Sequence, residues 1–388
     1  MKEFQRLEEV FKISKTICIA HGGDVSEPSG GTNRVTAFAT ALRNAGFDVH
    51  LVVPSPKREF PEDLRDIKIH TVPIKARSIR DQIFRALLVS LKAKKIAKNN
   101  NAILQIEHAV LAGFATLVGC SDFVLDMHDL SSYSPAYLSL PFSKLVQKFV
   151  YEMEKRAVNR ASKIIVVSNL MKYFIVKEWN VPEEKIEVIP NGYFEDKFKD
   201  LNLKNIEETE GMIAFLGTLH QKVDLGKIIN LAKSIKNSKI YIIGDGPVRG
   251  KLERMIKRNK LENIILTGNL PYLESLRLTA KSKVVIAPYL SGKSLDVSCP
   301  VKLYDYARLG KAIVADKVAE ICKIFEKYNA ALISDPSNPK KFIENVQILL
   351  EDEKLRKKIA SNARKIVNDF SWEKQGAKLA NMYREFII

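Results

Sequence analysis

Short apolar runs rich in β-branched residues alternate along the chain with longer segments that have the periodicity of amphipathic helices. The first series of apolar runs covers residues 15–20, 48–54, 101–107, 122–128 and 163–168. A helical stretch is predicted from Thr32 to Ala45. Apolar runs of this length predict strands that are buried on both faces. Strands that alternate with helices predict a parallel sheet built from βαβ units.

A second series of six apolar runs follows, at residues 211–217, 238–246, 263–268, 283–288, 311–316 and 331–336. The polar, weakly periodic segment 191–211 separates the two series, and we predict it to be a linker. At 388 residues the chain exceeds what one core usually supports. We therefore predict an α/β protein with two doubly wound Rossmann-like domains, residues 1–198 and 199–369, that face a central cleft.

Composition and charge restrict the class of protein further. Apolar residues make up 46% and charged residues 28% of the chain, which is typical of a soluble globular protein. Neither a signal-peptide core nor a run of about 20 apolar residues is evident. The cysteines form neither a CxxC pair nor a disulfide framework, so we expect a cytoplasmic protein. The formal charge of +17 favours anionic partners: nucleic acid, anionic lipid or phosphorylated small molecules.

Two glycine-rich turns follow predicted strands. Gly30 and Gly31 open the first helix, where the backbone can approach a ligand closely and free N–H groups can bind oxygen atoms. The motif is not GxGxxG, and no acidic residue ends the second strand, which argues against a dinucleotide site. Gly244 and Gly246 lie in a similar turn. Ordinary punctuation between a strand and a helix is the alternative for both turns.

The segment 299–316 predicts a helix that carries two charged residues on one face. Pro300 suits the start of this helix, and Lys302 in its first turn can reach a phosphate. Asp305 lies one turn further along the same face, where its carboxylate could accept hydrogen bonds from ribose hydroxyls. The alternative is an amphipathic helix on which both side chains are merely solvated.

One histidine follows the end of a predicted strand. His128, in the sequence DMHDL, could donate a hydrogen bond to a substrate hydroxyl or stabilise developing charge. A structural role is the alternative. His108 has the same two interpretations.

These motifs, in this order, resemble the retaining glycosyltransferases of family four, which have the GT-B fold. The resemblance covers nearly the whole chain: the GGTNR opening, residues 158–198 with their IPNG turn, FLGTLHQK, GDGP and residues 299–316. Residues 369–387 resemble the final helix of the family, which returns to the first domain. The resemblance therefore implies that residues 370–388 complete the first domain.

The resemblance also implies roles for individual residues. Gly30 and Gly31 would lie against the donor phosphates or sugar, and His128 would contact the transferred sugar. Lys222 would neutralise the diphosphate, and Asp305 stands where the family has a glutamate bound to the ribose. The remaining residues predicted to bind the donor are Arg34, Thr218, Gly244, Gly246, Pro300, Val301, Lys302 and Leu303.

Two positions depart from the family. Thr218 replaces an arginine, so Lys302 or Arg34 would have to supply the missing charge. Val297 replaces a second glutamate, and Asp296 beside it could act only if the loop is shifted. These departures bear on donor recognition and activity.

The chemistry implied by the resemblance is transfer of a hexose-type sugar from a nucleotide-diphosphate sugar to a hydroxyl acceptor. The nucleotide sugar is a substrate, and neither a cofactor nor a metal is expected. Lys222 and the helix N-terminus at residues 300–303 would stabilise the departing diphosphate. The anomeric configuration would be retained. A lipid-linked acceptor and a cell-envelope glycan are both candidates.

Residues 78–100 bear on the acceptor because they predict a basic amphipathic helix. Its apolar stripe consists of Ile79, Ile83, Leu87 and Leu91, and its basic residues are Arg80, Arg85, Lys92, Lys94, Lys95 and Lys98. Such a helix could contact anionic lipid at the inner face of a membrane. Alternatively, the stripe packs on the sheet and the lysines are only solvated.

Two further classes of function remain open. A GT-B sugar-nucleotide epimerase would need groups for proton transfer at the sugar, and only His128 and Glu107 are evident. Val297 and Thr218 are compatible with a GT-B protein that binds sugar nucleotides without transferase activity. Binding of nucleic acid is not expected, because no RNA-binding motif is present.

Overall fold

The computed structural model describes residues 15–27, 29–74, 78–137 and 142–387. The chain divides into two compact units. The first unit comprises residues 1–132, 142–190 and 372–388, and the second comprises 133–141 and 191–371. The division thus follows Pro190, whereas the predicted boundary follows residue 198.

The first unit contains a seven-stranded parallel sheet with the strand order β3-β2-β1-β4-β5-β6-β7. Its strands are β1 Thr16–Ala20, β2 Asp48–Pro54, β3 Lys68–Val72, β4 Ile103–Glu107, β5 Phe123–Met127, β6 Lys163–Val166 and β7 Ile186–Val188. Its helices are α1 Gly30–Asn44, α2 Ile79–Asn99, α3 Ala109–Leu117, α4 Ser143–Arg160 and α5 Asn169–Trp179. The inner strands β1, β4 and β5 are almost entirely buried, as their continuous apolar sequences predict.

Serine caps begin several of these helices. The Ser29 side chain accepts a hydrogen bond from the Thr32 amide, and the Thr32 hydroxyl accepts one from the Ser29 amide. Ser78 and Asp81 form the same reciprocal arrangement at α2. Each cap satisfies amide groups that have no partner within the helix, which fixes where the helix starts. Helix α1 begins at Gly30, slightly before the predicted start at Thr32.

The second unit contains a six-stranded parallel sheet with the order β10-β9-β8-β11-β12-β13. Its strands are β8 Met212–Leu216, β9 Lys239–Ile243, β10 Ile264–Gly268, β11 Val284–Ala287, β12 Ala312–Asp316 and β13 Leu332–Ser334. The helices before β11 are α6 Glu195–Lys199, α7 Leu225–Ser234, α8 Arg249–Arg258 and α9 Tyr272–Ala280. Those that follow are α10 Lys293–Asp296, α11 Val301–Arg308, α12 Ala319–Lys327, α13 Pro339–Glu351 and α14 Glu353–Val367.

The predicted α/β fold with two Rossmann-like sheets is confirmed. The prediction that residues 191–211 form a linker is wrong. These residues belong to the second unit, include α6, and bury Tyr193, Phe198 and Leu201. A few buried aromatic and aliphatic side chains are enough to fold this mostly polar segment into the second unit.

The final helix, α15, spans Trp372–Ile387 and belongs to the first unit. Gly376 lets α15 approach α1 closely, because a Cβ at this position would collide with the Ala41 side chain. The Trp372 ring packs edge-on against Phe38 at a centroid distance of 5.9 Å.

Candidate functional site

Helix α11 in the second unit presents Lys302 in its first turn. The Lys302 ammonium lies 3.7 Å from the centre of the Phe215 ring and 5.7 Å from that of Tyr289. Burial lowers the pKa of Lys302 to about 7, and no carboxylate among the described residues contributes to this shift. A cation held against aromatic faces without an anionic partner is suited to an anionic ligand.

Asp305 lies one turn further along the same helix and is 4% exposed. The Tyr272 hydroxyl donates a hydrogen bond of 2.7 Å to Asp305 Oδ1. Burial raises the pKa of Asp305 to about 7. Its second carboxylate oxygen can accept hydrogen bonds from ligand hydroxyls.

Gly244 and Gly246 have a packing role. A Cβ on Gly244 would collide with the Gly217 carbonyl, and one on Gly246 with the Leu219 carbonyl. The two glycines thus let the turn after β9 pack against the turn after β8. Gly217 in turn leaves room for the Lys302 side chain, whose ammonium would lie 3.5 Å from a Cβ there.

Thr218, which stands where the family has an arginine, and Lys222, which was predicted to neutralise the diphosphate, follow β8. Thr218 is exposed, so its side chain is accessible to a ligand. Lys222 is half-buried, and its backbone carbonyl accepts a hydrogen bond of 3.0 Å from the Leu290 amide.

The start of α11 is anchored within the second unit. Pro300 is the residue that precedes the helix, and the Asn191 side chain donates a 2.7 Å hydrogen bond to the carbonyl of Cys299. Val301 is half-buried, whereas Leu303 is fully buried. Leu303 is therefore a core residue, and only its backbone could contact a donor. Val297 is buried, and Asp296 is exposed.

In the first unit, His128 lies near the start of α1. Its Cε1 atom is 3.9 Å from the position that a Cβ on Gly31 would take, and Gly30 is exposed. Its Nε2 atom lies 2.9 Å from Glu107 Oε2. Burial opposes the charged imidazole, but the hydrogen bond with Glu107 and the charges of Asp126 and Glu107 raise the pKa of His128 above its ordinary value.

The prediction that Arg34 could supply the charge missing at Thr218 is wrong. Its side chain is fully buried, and its Nε and Nη2 atoms each donate a 2.8 Å hydrogen bond to Asp126. Nη1 donates to the Pro190 carbonyl at 3.3 Å. Arg34 is thus committed to an internal ion pair and cannot supply the charge that Thr218 removes.

Three histidines gather at the carboxyl ends of β1, β4 and β5. The His108 and His128 rings lie 6.0 Å apart, and His108 Nε2 is 3.1 Å from the Ser131 hydroxyl. Burial, together with His128 and His108, lowers the pKa of His21 to about 3. Sequence reasoning missed His21 and Asp126 and did not pair Glu107 with His128, although Glu107 ends one apolar run and Asp126 lies near the end of another.

Glu107, Asp126 and His128 also place three ligand atoms within 4.8 Å of one another, as a metal site would. Arg34 already holds both oxygens of Asp126. Within the described residues no other group of this kind is found. Because Arg34 engages both oxygens of Asp126 and His128 Nε2 engages Glu107, these residues do not fit a resident metal ion.

The outer side of α2–α4 carries exposed apolar side chains, which we call the α2–α4 surface. Helix α3 packs between α2 and α4. Phe142 just before α4 is 79% exposed and Leu145 is 66% exposed. The other exposed apolar residues of this surface are Ile83, Phe84, Leu91, Leu117 and Phe149. Its exposed lysines are Lys94, Lys95, Lys98, Lys144 and Lys148.

The predicted apolar stripe of residues 78–100 contributes to the α2–α4 surface, so the alternative in which this stripe packs on the sheet is wrong. Ile83 and Leu91 are exposed, and α2 instead buries Val89, Ala93 and Ala97. The side chain of Ile79 lies outside the described part of the chain. Of the helices that the structure describes, none has the length and apolar character to cross a bilayer.

Comparison with known proteins agrees with this architecture. Residues 28–196 match the family described as Glycosyltransferase Family 4, and residues 196–366 match Glycosyl transferases group 1. An Anabaena protein solved in complex with UDP and glucose has a TM-score of 0.71 to this chain. That match covers 96% of this chain and 99% of the other, at 16% identity, and shows a shared fold. The fold is GT-B, and the chain belongs to glycosyltransferase family four.

Two relatives match most of the chain. The N-acetylgalactosamine-N,N'-diacetylbacillosaminyl-diphospho-undecaprenol 4-alpha-N-acetylgalactosaminyltransferase of Campylobacter jejuni is 22% identical over 350 residues. This match covers 87% of this chain and 91% of the relative. The UDP-Gal:alpha-D-GlcNAc-diphosphoundecaprenol alpha-1,3-galactosyltransferase of Escherichia coli is 24% identical over 375 residues, which cover 89% of this chain and 91% of the relative. Both names describe lipid-linked acceptors.

Proposed function

We propose that the protein is a retaining, metal-independent glycosyltransferase that moves a hexose-type sugar from a nucleotide-diphosphate sugar to a hydroxyl acceptor. The observation that supports this most strongly is on α11. Lys302, a desolvated cation, and Asp305, a buried carboxylate, lie one helical turn apart beside the glycine turns at residues 217 and 244. A phosphate and a ribose are the ligand groups that match this pair.

In the proposed reaction, Lys302, Lys222 and the N-terminus of α11 stabilise the negative charge of the departing diphosphate. Asp305 accepts hydrogen bonds from the ribose hydroxyls. The acceptor hydroxyl attacks the face from which the diphosphate leaves and passes its proton to a phosphate oxygen. His128 donates a hydrogen bond to the transferred sugar. No cofactor takes part in this scheme.

The relatives suggest the substrates. The similar Anabaena structure holds UDP and glucose, and both transferases named above act on diphospho-undecaprenol acceptors. We propose a uridine diphosphate sugar as the first donor class to test, and a lipid-linked glycan as the acceptor.

Turnover of nucleotide sugars tests the proposal. Purified protein is incubated with donor and a diphospholipid-linked glycan, with and without EDTA, and the product anomer is assigned by NMR. We expect transfer that EDTA does not inhibit and a product with the donor's anomeric configuration. Nucleotide binding without turnover would favour the binding protein, and interconversion of donor sugars would favour the epimerase.

The affinity for a nucleotide sugar is expected to peak near pH 7. Above about 7, Lys302 must take up a proton to bind the diphosphate, so affinity falls as the pH rises. Below about 7, Asp305 must lose a proton to accept ribose hydroxyls, so affinity falls as the pH drops. Calorimetric titration between pH 5.5 and 8.5 would measure both limbs.

Variants separate these two limbs. Lys302→Met should remove the alkaline limb, and Asp305→Asn the acid limb. A pH profile that neither substitution changes would exclude the proposed roles of both residues.

We further propose that the α2–α4 surface docks on an anionic bilayer, on the inner face of a membrane where a lipid-linked acceptor would be presented. The apolar side chains Phe142 and Leu145 can enter the interface while Lys144 and Lys148 contact anionic headgroups. Lys92 and Lys94 contribute less, because their ammonium groups donate to the carbonyls of Thr71 and Val118.

Vesicle flotation tests the docking surface. Changing Lys95, Lys98, Lys144 and Lys148 to glutamine should weaken binding to vesicles that contain anionic lipid by about 1 kcal/mol for each lysine. The matched control removes the same charge from exposed lysines of the second unit, Lys251, Lys257, Lys260 and Lys354. Equal loss of binding in the two variants would show that only net charge matters, which contradicts a defined surface.

A further inference from the structure

A chain of buried hydrogen bonds connects the last helix of the protein to His128. The Tyr383 hydroxyl, on α15, donates to Gln105 Oε1 at 2.5 Å. The Gln105 amide donates to Glu107 Oε1 at 2.5 Å. Glu107 Oε2 lies 2.9 Å from His128 Nε2. All these groups belong to the first unit, and Tyr383, Gln105 and Glu107 are fully buried.

The chain fixes which way each group points. The Gln105 amide nitrogen donates to the Glu107 carboxylate, so its oxygen is left to accept from Tyr383. Both oxygens of Glu107 are then engaged. An ionised Glu107 only accepts hydrogen bonds, so His128 then carries a proton on Nε2 and its Nδ1 points elsewhere. Nδ1 lies 4.0 Å from the position that a Cβ on Gly31 would take, at the start of α1.

The charges around Glu107 and His128 favour a proton shared by these two side chains. Glu107 and Asp126 are acidic, and Arg34 balances one of them. His21 and His108 also lie near His128, and the pKa of His21 is lowered to about 3. Burial and the charge of Asp126 raise the pKa of Glu107, and the hydrogen bond with Glu107 raises that of His128. When Glu107 is ionised, a proton on His128 balances the second acidic charge.

We propose that Glu107, held by Gln105 and Tyr383, is a positioning residue that orients His128 and keeps its imidazole protonated, so that Nδ1–H donates to the transferred sugar. The proposal rests on the proposed glycosyltransferase function. This role gives a reason for burying these polar side chains, which costs stability. The Glu107 carboxylate acts on His128 and does not contribute to the apolar core.

Glu107→Gln tests this role because it keeps the shape of the side chain and removes its charge. We expect kcat to fall by roughly 10–100-fold with little change in the donor KM, since the group acts after the donor binds. The limb of the pH profile on which activity is lost with rising pH should move to lower pH. Tyr383→Phe should have a smaller effect in the same direction.

A double-mutant cycle separates positioning from a structural role. In a His128→Asn background, Glu107→Gln should change kcat by no more than about twofold, because its target is gone. If the two effects multiply instead, Glu107 acts independently of His128 and the proposal is wrong.

NMR provides a readout that does not depend on turnover. The chain has 6 histidines, so ¹³C-labelled imidazoles can be resolved and titrated. The pKa of His128 should be lower in Glu107→Gln than in the wild type, while His220 of the second unit serves as the unchanged control. An unchanged His128 pKa overturns the inference even if transfer is observed. Absent transfer with a lowered His128 pKa would instead reject the proposed function and keep the pairing.

Discussion

Replacing Lys302 with methionine is expected to lower kcat/KM for the nucleotide sugar by about 10²–10³-fold, as removal of a preorganised electrostatic group does. The same substitution should leave the free energy of unfolding unchanged or higher. Burial lowers the Lys302 pKa from 10.5 to about 7, so the folded state disfavours the ammonium at neutral pH. Methionine fills similar space without that cost.

Steady-state kinetics and thermal unfolding of the same preparation measure the two effects together. Lys323→Met is the control, since Lys323 is an exposed lysine on α12 of the same unit. It should change neither quantity. If Lys302→Met destabilises the protein and activity falls only in proportion to folded protein, Lys302 is structural and the donor-site account loses its main support.

Replacing Asp126 with asparagine is expected to lower the free energy of unfolding of the first unit by about 3–5 kcal/mol, because it leaves the Arg34 guanidinium buried without a carboxylate. Both side chains are completely buried, and two 2.8 Å hydrogen bonds join them. Tryptophan fluorescence can follow this unit alone, since Trp179 and Trp372 are the chain's 2 tryptophans and both belong to it.

The first unit offers a matched control for this pair. Arg43 and Asp66 also form a 2.8 Å ion pair, but Asp66 is 72% exposed. Asp66→Asn should cost no more than about 1 kcal/mol. The double substitution Arg34→Met with Asp126→Leu should recover much of the loss, since it removes both charges. Similar losses for Asp66→Asn and Asp126→Asn would contradict the distinction between buried and exposed pairs.

Sequence reasoning found all six strands of the second sheet and five of the seven strands of the first, and it missed the two edge strands of the first sheet. β3 and β7 lie at the ends of the seven-stranded order. The sequence of β3, KIHTV, buries only its last residue, and β7 is only 3 residues long. These two strands lack the continuous apolar run that identifies buried strands, whereas the edge strands β10 and β13 of the second sheet lie within predicted apolar runs.

The pair Lys302 and Asp305 was accessible from sequence because the two residues are close along one helix. The surroundings of His128 were not. Tyr383 bonds to Gln105 across 278 positions, and Arg34 to Asp126 across 92. Such pairings arise only when strands and helices assemble. For the same reason the side of α2 that faces the core could not be read from its own periodicity.

The most direct test of the central claim is a thermal-shift measurement with nucleoside diphosphates and nucleotide sugars, with and without EDTA, on wild type and Asp305→Ala. The account predicts that one nucleotide raises the unfolding temperature by several degrees, that EDTA has no effect, and that the shift is lost in the variant. Absence of a shift for every nucleotide, or an equal shift in the variant, would contradict a donor site at Lys302 and Asp305.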